Sequence, residues 1–238
     1  MKKTRCKCGC CFEDKDSYHR HYQVCDHMNW HLPPKGLIKL NTDGSCKRLK
    51  GDEGLSAGAG LIRDHEGVVL VSFGEPLGIT NSMLAEMRAM KRGLEFVFLS
   101  TFNRVIVETD NGHLIGAIKG ALEKKKDFCC YILNKEPGNK QVQVYWHILL
   151  RIRAILLDPK IHFTLSHIYN DANKAADTMA NLGVKERAFR IWLPKKDEAE
   201  GEVVEEAEVV EVPKEDEVAM LVKKLLKQLH WDSSKKAT

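Results

Sequence analysis

Apolar and polar side chains alternate through Leu37–Asp43, a two-residue period that predicts a strand with one buried face. A glycine-bearing loop through Gly51 and Gly54 follows. Two further strand-like runs, 57–63 and 67–74, are joined by a turn at Asp64-His-Glu-Gly67. The period then becomes helical over Asn81–Phe98: Met83, Leu84, Met87, Met90, Leu94 and Phe98 fall on one stripe, with Asn81 or Ser82 placed to cap it. Val105–Glu108 has the composition of a buried strand. Asn111–Leu122 predicts a short helix, and Val142–Leu157 a longer amphipathic one ended by Asp158-Pro159. Ile161–Ser166 alternates as a last strand, and Ala172–Leu182 predicts a final helix stopped by Gly183. Three strands followed by alternating helices and strands imply an α/β fold, a mixed sheet with helices on its faces.

Composition alters this picture mainly at the two ends. Residues 37–194 carry the regular patterns, and 43% hydrophobic content over 238 residues suffices for a core. Residues 1–36 form a Cys/His-rich segment closing in the breaker cluster Leu32-Pro-Pro-Lys-Gly36. Residues 195–217 alternate Glu with Val and Ala, a like-charged stretch that predicts a disordered acidic linker. Residues 218–231 place Val218, Leu221, Val222, Leu225, Leu226 and Leu229 on one helical stripe, which docks either a partner, another copy of the chain, or its own domain. The net charge of +4 is small, but the Glu-rich tail leaves the preceding residues more basic than that figure, which suits a polyanionic partner. Most of the 8 Cys crowd the N-terminus, a distribution that argues against a secreted disulfide scaffold. No apolar run is long enough for a bilayer, and the start lacks a signal-peptide core, so the expectation is a nuclear or cytoplasmic protein without membrane association.

Four acids stand at telling places in this pattern. Asp43 closes the first alternating run, and Asp110 closes Arg104-Val-Ile-Val-Glu-Thr-Asp. Glu86 lies in the apolar stripe Met83-Leu-Ala-Glu-Met-Arg-Ala-Met, and Asp177 in the helix-like Asn173-Lys-Ala-Ala-Asp-Thr-Met-Ala. A carboxylate facing a core is costly unless its charge is compensated. Four on elements that can converge suggest a hard cation with oxygen ligands.

The order of these motifs resembles the ribonuclease H type 1 family, most nearly the reverse-transcriptase-like RNase H domain of plants and non-LTR retroelements. The resemblance rests on Pro33-Pro-Lys-Gly-Leu-Ile-Lys-Leu-Asn-Thr-Asp-Gly-Ser45, Leu84-Ala-Glu-Met-Arg-Ala89, Val107-Glu-Thr-Asp110 and the closing segment Ser166–Ala180, and covers about residues 30–184. It implies a five-stranded mixed sheet, three antiparallel strands and then two parallel ones, with helices on both faces. It implies that Asp43, Glu86, Asp110 and Asp177 bind two Mg²⁺ or Mn²⁺ ions, and that His167 is a catalytic histidine. Asn173 matches an asparagine of the closing loop. The chain departs from the family at Asn170-Asp171, where Arg-Glu is usual, and in a longer segment between Leu122 and Val142.

The implied activity is endonucleolytic hydrolysis of the RNA strand of RNA–DNA hybrids, and the chemistry suits the residues. Two divalent ions roughly 3.5–4 Å apart can serve both the attacking and the leaving oxygen of an in-line displacement. A loop histidine can carry a proton. A hybrid exposes 2′-hydroxyls in a shallow groove, and Gly44, Ser45, Asn81 and Ser82 are candidates to contact it, as the resemblance implies. Lys124, Lys125 and Lys126 form a basic, turn-rich insert, either a phosphate handle or a solvated loop. At the N-terminus, Cys8, Cys11, His21 and Cys25 are the favoured Zn²⁺ set, with Cys6 as an alternate. The first cysteine pair departs from the usual finger spacing. The competing functional reading is a catalytically inactive nucleic-acid-binding module of retroelement origin.

Overall fold

The computed structural model describes residues 29–123, 140–196 and 203–211, together with two paired dipeptides, Thr4–Arg5 and Cys11–Phe12. The main sheet begins with three long antiparallel strands, β1 (Ile38–Lys50), β2 (Glu53–Arg63) and β3 (Val69–Asn81). Helix α1 (Ser82–Leu99) leads to β4 (Arg104–Thr109), and α2 (Gly112–Leu122) and α3 (Lys140–Leu156) precede β5 (His162–His167). A 3₁₀ turn at Asn170–Asn173 opens α4 (Lys174–Glu186), and β6 (Arg190–Lys196) and β7 (Val203–Glu211) follow. The strand order is β5-β4-β1-β2-β3-β6-β7, with β4 and β5 parallel to β1 and the other pairs antiparallel.

The expected five strands are therefore present in the expected arrangement, and two more extend the sheet. The run Arg190-Ile-Trp-Leu alternates, and its buried Ile191 and Leu193 close the core beside β3. The expectation of a disordered linker over 195–217 is corrected at Val203–Glu211, which pairs antiparallel with β6. A valine-rich segment with an open strand edge beside it gains backbone hydrogen bonds that the isolated segment lacks. The stripe over 218–231 lies outside the described residues.

Alternate residues of β1 face opposite layers. Leu40 and Thr42 meet α1, where Gly93 lies against Leu40 and the Thr42 hydroxyl is 3.9 Å from Met90 sulfur. Asn41 and Ser45 meet the 3₁₀ turn and α4 through Asn173 and Asn181. The main core fills the α1–α2–α3 side, with Phe73 and Phe96 edge to face at 5.0 Å. Helix α4 does not stop at Gly183. It runs to Glu186 and ends at Arg187, whose φ of 55° is left-handed. Gly183 is instead a close-approach residue: a Cβ there would lie 3.0 Å from the Ala57 methyl. The small side chains let α4 sit directly on the sheet.

Candidate active site

Asp43 is not at the end of its strand, as the sequence suggested, but in the middle of β1. The parallel pairing of β1 with β4 runs only from Ile38 to Asn41, opposite Val105 to Glu108. Asp43 thus stands just past the point where the two strands part, and Asp110 follows the end of β4. Such a parting of parallel strands is where open α/β sheets place ligands.

Glu86 comes from the first turns of α1. Asn81 caps that helix, its Oδ1 accepting from Leu84 N at 2.9 Å and from the Tyr145 hydroxyl at 2.6 Å. Gly44 sets how near the helix can come. A Cβ at Gly44 would overlap the Glu86 amide nitrogen and lie 2.6 Å from the Ala85 carbonyl carbon. Only glycine permits this contact, and the contact delivers Glu86 to Asp43. Asp43, Glu86 and Asp110 offer oxygens that all lie within 4.8 Å of one another.

The electrostatics are strained in the direction a cation would relieve. Burial, the Asp43 charge and the Asp110 charge push Glu86 up to about 9, and a hydrogen bond from Asn111 opposes them. Burial and the Asp110 charge raise Asp43 to about 6, while the Gly44 amide lowers it. The two carboxyls are coupled, and the interaction between them favours the proton on Glu86 over Asp43. Burial also raises Asp110, against hydrogen bonding and the His167 imidazole. Glu86 Oε2 is buried without a hydrogen-bond partner among the described residues. A buried carboxyl oxygen with no partner, beside two other acids, fits a hard divalent cation.

Asp177 lies in the first turn of α4, where the helix dipole favours a negative charge. It acts electrostatically on both Asp43 and Asp110 but falls outside the three-carboxylate group. Its Oδ1 accepts from Asn181 Nδ2 at 2.8 Å. His167, expected on a loop, is the last residue of β5. Its exposed ring places Nε2 3.0 Å from the Asp110 carbonyl oxygen. Asn173 is buried and donates to the Thr42 carbonyl at 3.0 Å, and its amide, near Asp110, lowers the proton affinity of that carboxyl.

The remaining candidates divide. Gly44 serves close packing, and Ser45 donates to Asn181 Oδ1 at 3.0 Å, so its hydroxyl is engaged by α4. Asn81 is the α1 cap, and Ser82 beside it is exposed. Lys124, Lys125 and Lys126 lie outside the described residues. So do Cys8, His21 and Cys25, and of Cys11 only its strand pairing is described.

Residues outside those candidates complete the surroundings. Asn41 Oδ1 accepts from Trp30 Nε1 at 3.0 Å and from the Arg63 guanidinium at 2.8 Å, while its Nδ2 donates to Glu108 at 3.0 Å and lies 3.4 Å from Asn173 Oδ1. Lys39 Nζ is 2.6 Å from Glu108 Oε1. The period of β1 could have pointed to this network, since Lys39 and Asn41 share the face of Asp43. Asn111, the α2 cap, carried a signal only for capping.

A mixed sheet in this strand order, with a carboxylate cluster where β1 and β4 part, defines an RNase H-like fold. The comparisons agree: the chain contains an RNase H-like domain. Residues 41–135 match the family described as reverse transcriptase-like. An Arabidopsis thaliana protein named "putative ribonuclease H protein" is 26% identical over 154 residues, covering 65% of this chain. The chain spans only 22% of that relative's length. Among solved structures, LC9-RNase H1, titled a type 1 RNase H with the type 2 active-site motif, superimposes with a TM-score of 0.52 at 12% identity, covering 73% of this chain and 79% of its own. LC11-RNase H1, solved in complex with an RNA/DNA hybrid, gives a TM-score of 0.49 at 19% identity, covering 63% of this chain and 98% of its own.

Proposed function

We propose that this chain hydrolyses the RNA strand of RNA–DNA hybrids in a metal-dependent reaction, with Asp43, Glu86, Asp110 and Asp177 as the residues that would hold two divalent ions. The observation that carries the reading is the convergence of Asp43, Glu86 and Asp110 within 4.8 Å, with Glu86 Oε2 buried and lacking a donor. The name of the Arabidopsis relative supports the same reaction class. Bound at this site, Mg²⁺ or Mn²⁺ supplies Lewis acidity and water of lowered pKa.

The chain's own residues have distinct tasks. Asp43 and Glu86, whose proton affinities are raised by burial and by neighbouring acids, would release their protons to solvent and offer their oxygens to the ions. Asn173, anchored to the Thr42 carbonyl, favours the charged form of Asp110 that a cation needs. His167, with its ring in solvent and Nε2 against the Asp110 carbonyl, carries a proton between the site and bulk water. Sequence selectivity is not expected, because phosphate and sugar contacts position a duplex without reading it.

The test is cleavage of an end-labelled hybrid with Mg²⁺, beside the Asp110→Asn variant. Wild type cleaves, chelation stops it, and the variant loses at least about 100-fold, more than the loss of a residue that merely supports a ligand. Equal hybrid binding by both proteins with no metal-dependent cleavage by either would overturn the reading in favour of a catalytically inactive nucleic-acid-binding module.

A further inference from the structure

Next to the acidic cluster lies a cavity of about 190 Å³ whose walls include Trp30, Lys39, Glu108, Ser166, His167 and Tyr169. None of these except His167 has a task in the reaction above. The cavity is smaller than the roughly 300–1,000 Å³ that enclose a drug-sized ligand, so its size suits one ring system.

Its chemistry narrows the choice. Lys39 and Glu108 are both buried and already neutralise each other at 2.6 Å. They present donor and acceptor character and cancel each other's charge; Arg63, a further cation that interacts with Glu108, is not part of the cavity wall, so the wall itself favours neither a phosphate nor a metal ion. Trp30, His167 and Tyr169 supply flat rings. The His167 and Tyr169 rings meet edge to face at 5.9 Å, and Tyr169 is 53% exposed. Trp30 is fixed in place: its Nε1 donates to Asn41, and the Arg63 guanidinium lies 3.3 Å from its ring centre. A preset aromatic wall beside a neutral donor–acceptor pair matches a flat, uncharged ring that hydrogen-bonds at its edge. His167 joins the cavity to the catalytic cluster through the Asp110 carbonyl.

We propose that this cavity binds an unpaired nucleobase. The identity of the ligand rests on the nucleic-acid reading of the adjacent cluster. A paired base would first have to leave its stack, so the occupant comes from a single-stranded extension of the hybrid or from a free nucleotide.

The experiment uses the full chain carrying Asp110→Asn, which removes cleavage from the readout. Fluorescence anisotropy compares a blunt hybrid, the same hybrid with a short RNA extension at either end, and that extension made abasic. Nucleoside monophosphates are titrated separately, following tryptophan fluorescence. The base-bearing extension should bind about ten-fold tighter than the abasic one, in the range one stacked base supplies. Tyr169→Ala should abolish that ratio, and Trp30→Leu should reduce it. Because Trp30 also holds Asn41, the exposed Tyr169 carries the decision if the Trp30 variant folds poorly. Monophosphate binding that Tyr169→Ala removes assigns the cavity to a free nucleotide instead, which equally supports a nucleobase site. Equal affinity for base-bearing and abasic extensions with no monophosphate binding, or responses that Tyr169→Ala leaves untouched, would overturn the proposal. A wild-type protein that fails to cleave the blunt hybrid refutes only the nuclease reading, since the monophosphate arm is independent of it.

Discussion

Glu86→Gln tests the electrostatic argument without any substrate. The folded chain without cations holds Glu86 in its protonated form, because its pKa rises from 4.5 to about 9. The folded state therefore binds more protons than the unfolded state above the ordinary carboxyl value. Stability falls as pH rises from about 4.5 toward 9, the reverse of a salt-bridged acid. Each pH unit in that window costs about 1.4 kcal/mol, so the penalty at neutral pH is about 3 kcal/mol. Glutamine has nearly the same shape and no charge to suppress. In chelator, the variant should be more stable than wild type near neutrality by up to that amount, or about 5–10 °C in Tm. The gap should close toward pH 5. Excess Mg²⁺ should stabilise the wild type, by about 3 kcal/mol at a hundred-fold excess over Kd, and so raise its Tm, while the variant gains much less. Thermal denaturation across pH, with chelator or Mg²⁺, measures all of this. A wild-type Tm that stays flat or rises with pH in chelator, with no gain from Glu86→Gln, would refute the reasoning.

Other substitutions probe how the site is assembled. Gly44→Ala forces a methyl into the α1 backbone at Ala85 and Glu86; it should destabilise by about 3 kcal/mol in denaturant titration, and a neutral result would mean that α1 does not rest on β1 as described. Asn41→Ala leaves Trp30, Glu108 and Asn173 short of a partner. It should cost about 2 kcal/mol of stability and lower kcat more than it alters KM, because it loosens Asn173 behind Asp110. Arg92 is buried, reaches Glu75 through two bonds of 2.7 and 3.0 Å and Glu95 at 3.1 Å. Arg92→Met should cost about 3 kcal/mol by stranding those carboxylates, and adding Glu75→Gln should recover part of the loss.

The periodicity of the chain by itself determined the element types, the first five strands and the four acids, since those depend on local alternation and on charges placed against apolar faces. The resemblance of the four motifs supplied the strand order. Much of the site's construction was decided elsewhere. The role of Gly44 depends on how closely α1 approaches β1, a distance between segments forty residues apart that no local pattern encodes. Gly183 looks like a helix stop in isolation, yet contact with Ala57 makes it a helix interior residue. Val203–Glu211 had too much charge to predict order alone, and β6 supplies the backbone partners that order it. Asn41, Lys39 and Glu108 read as ordinary polar positions until the sheet buries them together beneath Trp30. Local sequence sets which face a side chain takes; only tertiary packing sets which groups lose water together, and the shifted proton affinities of Asp43 and Glu86 follow from that loss.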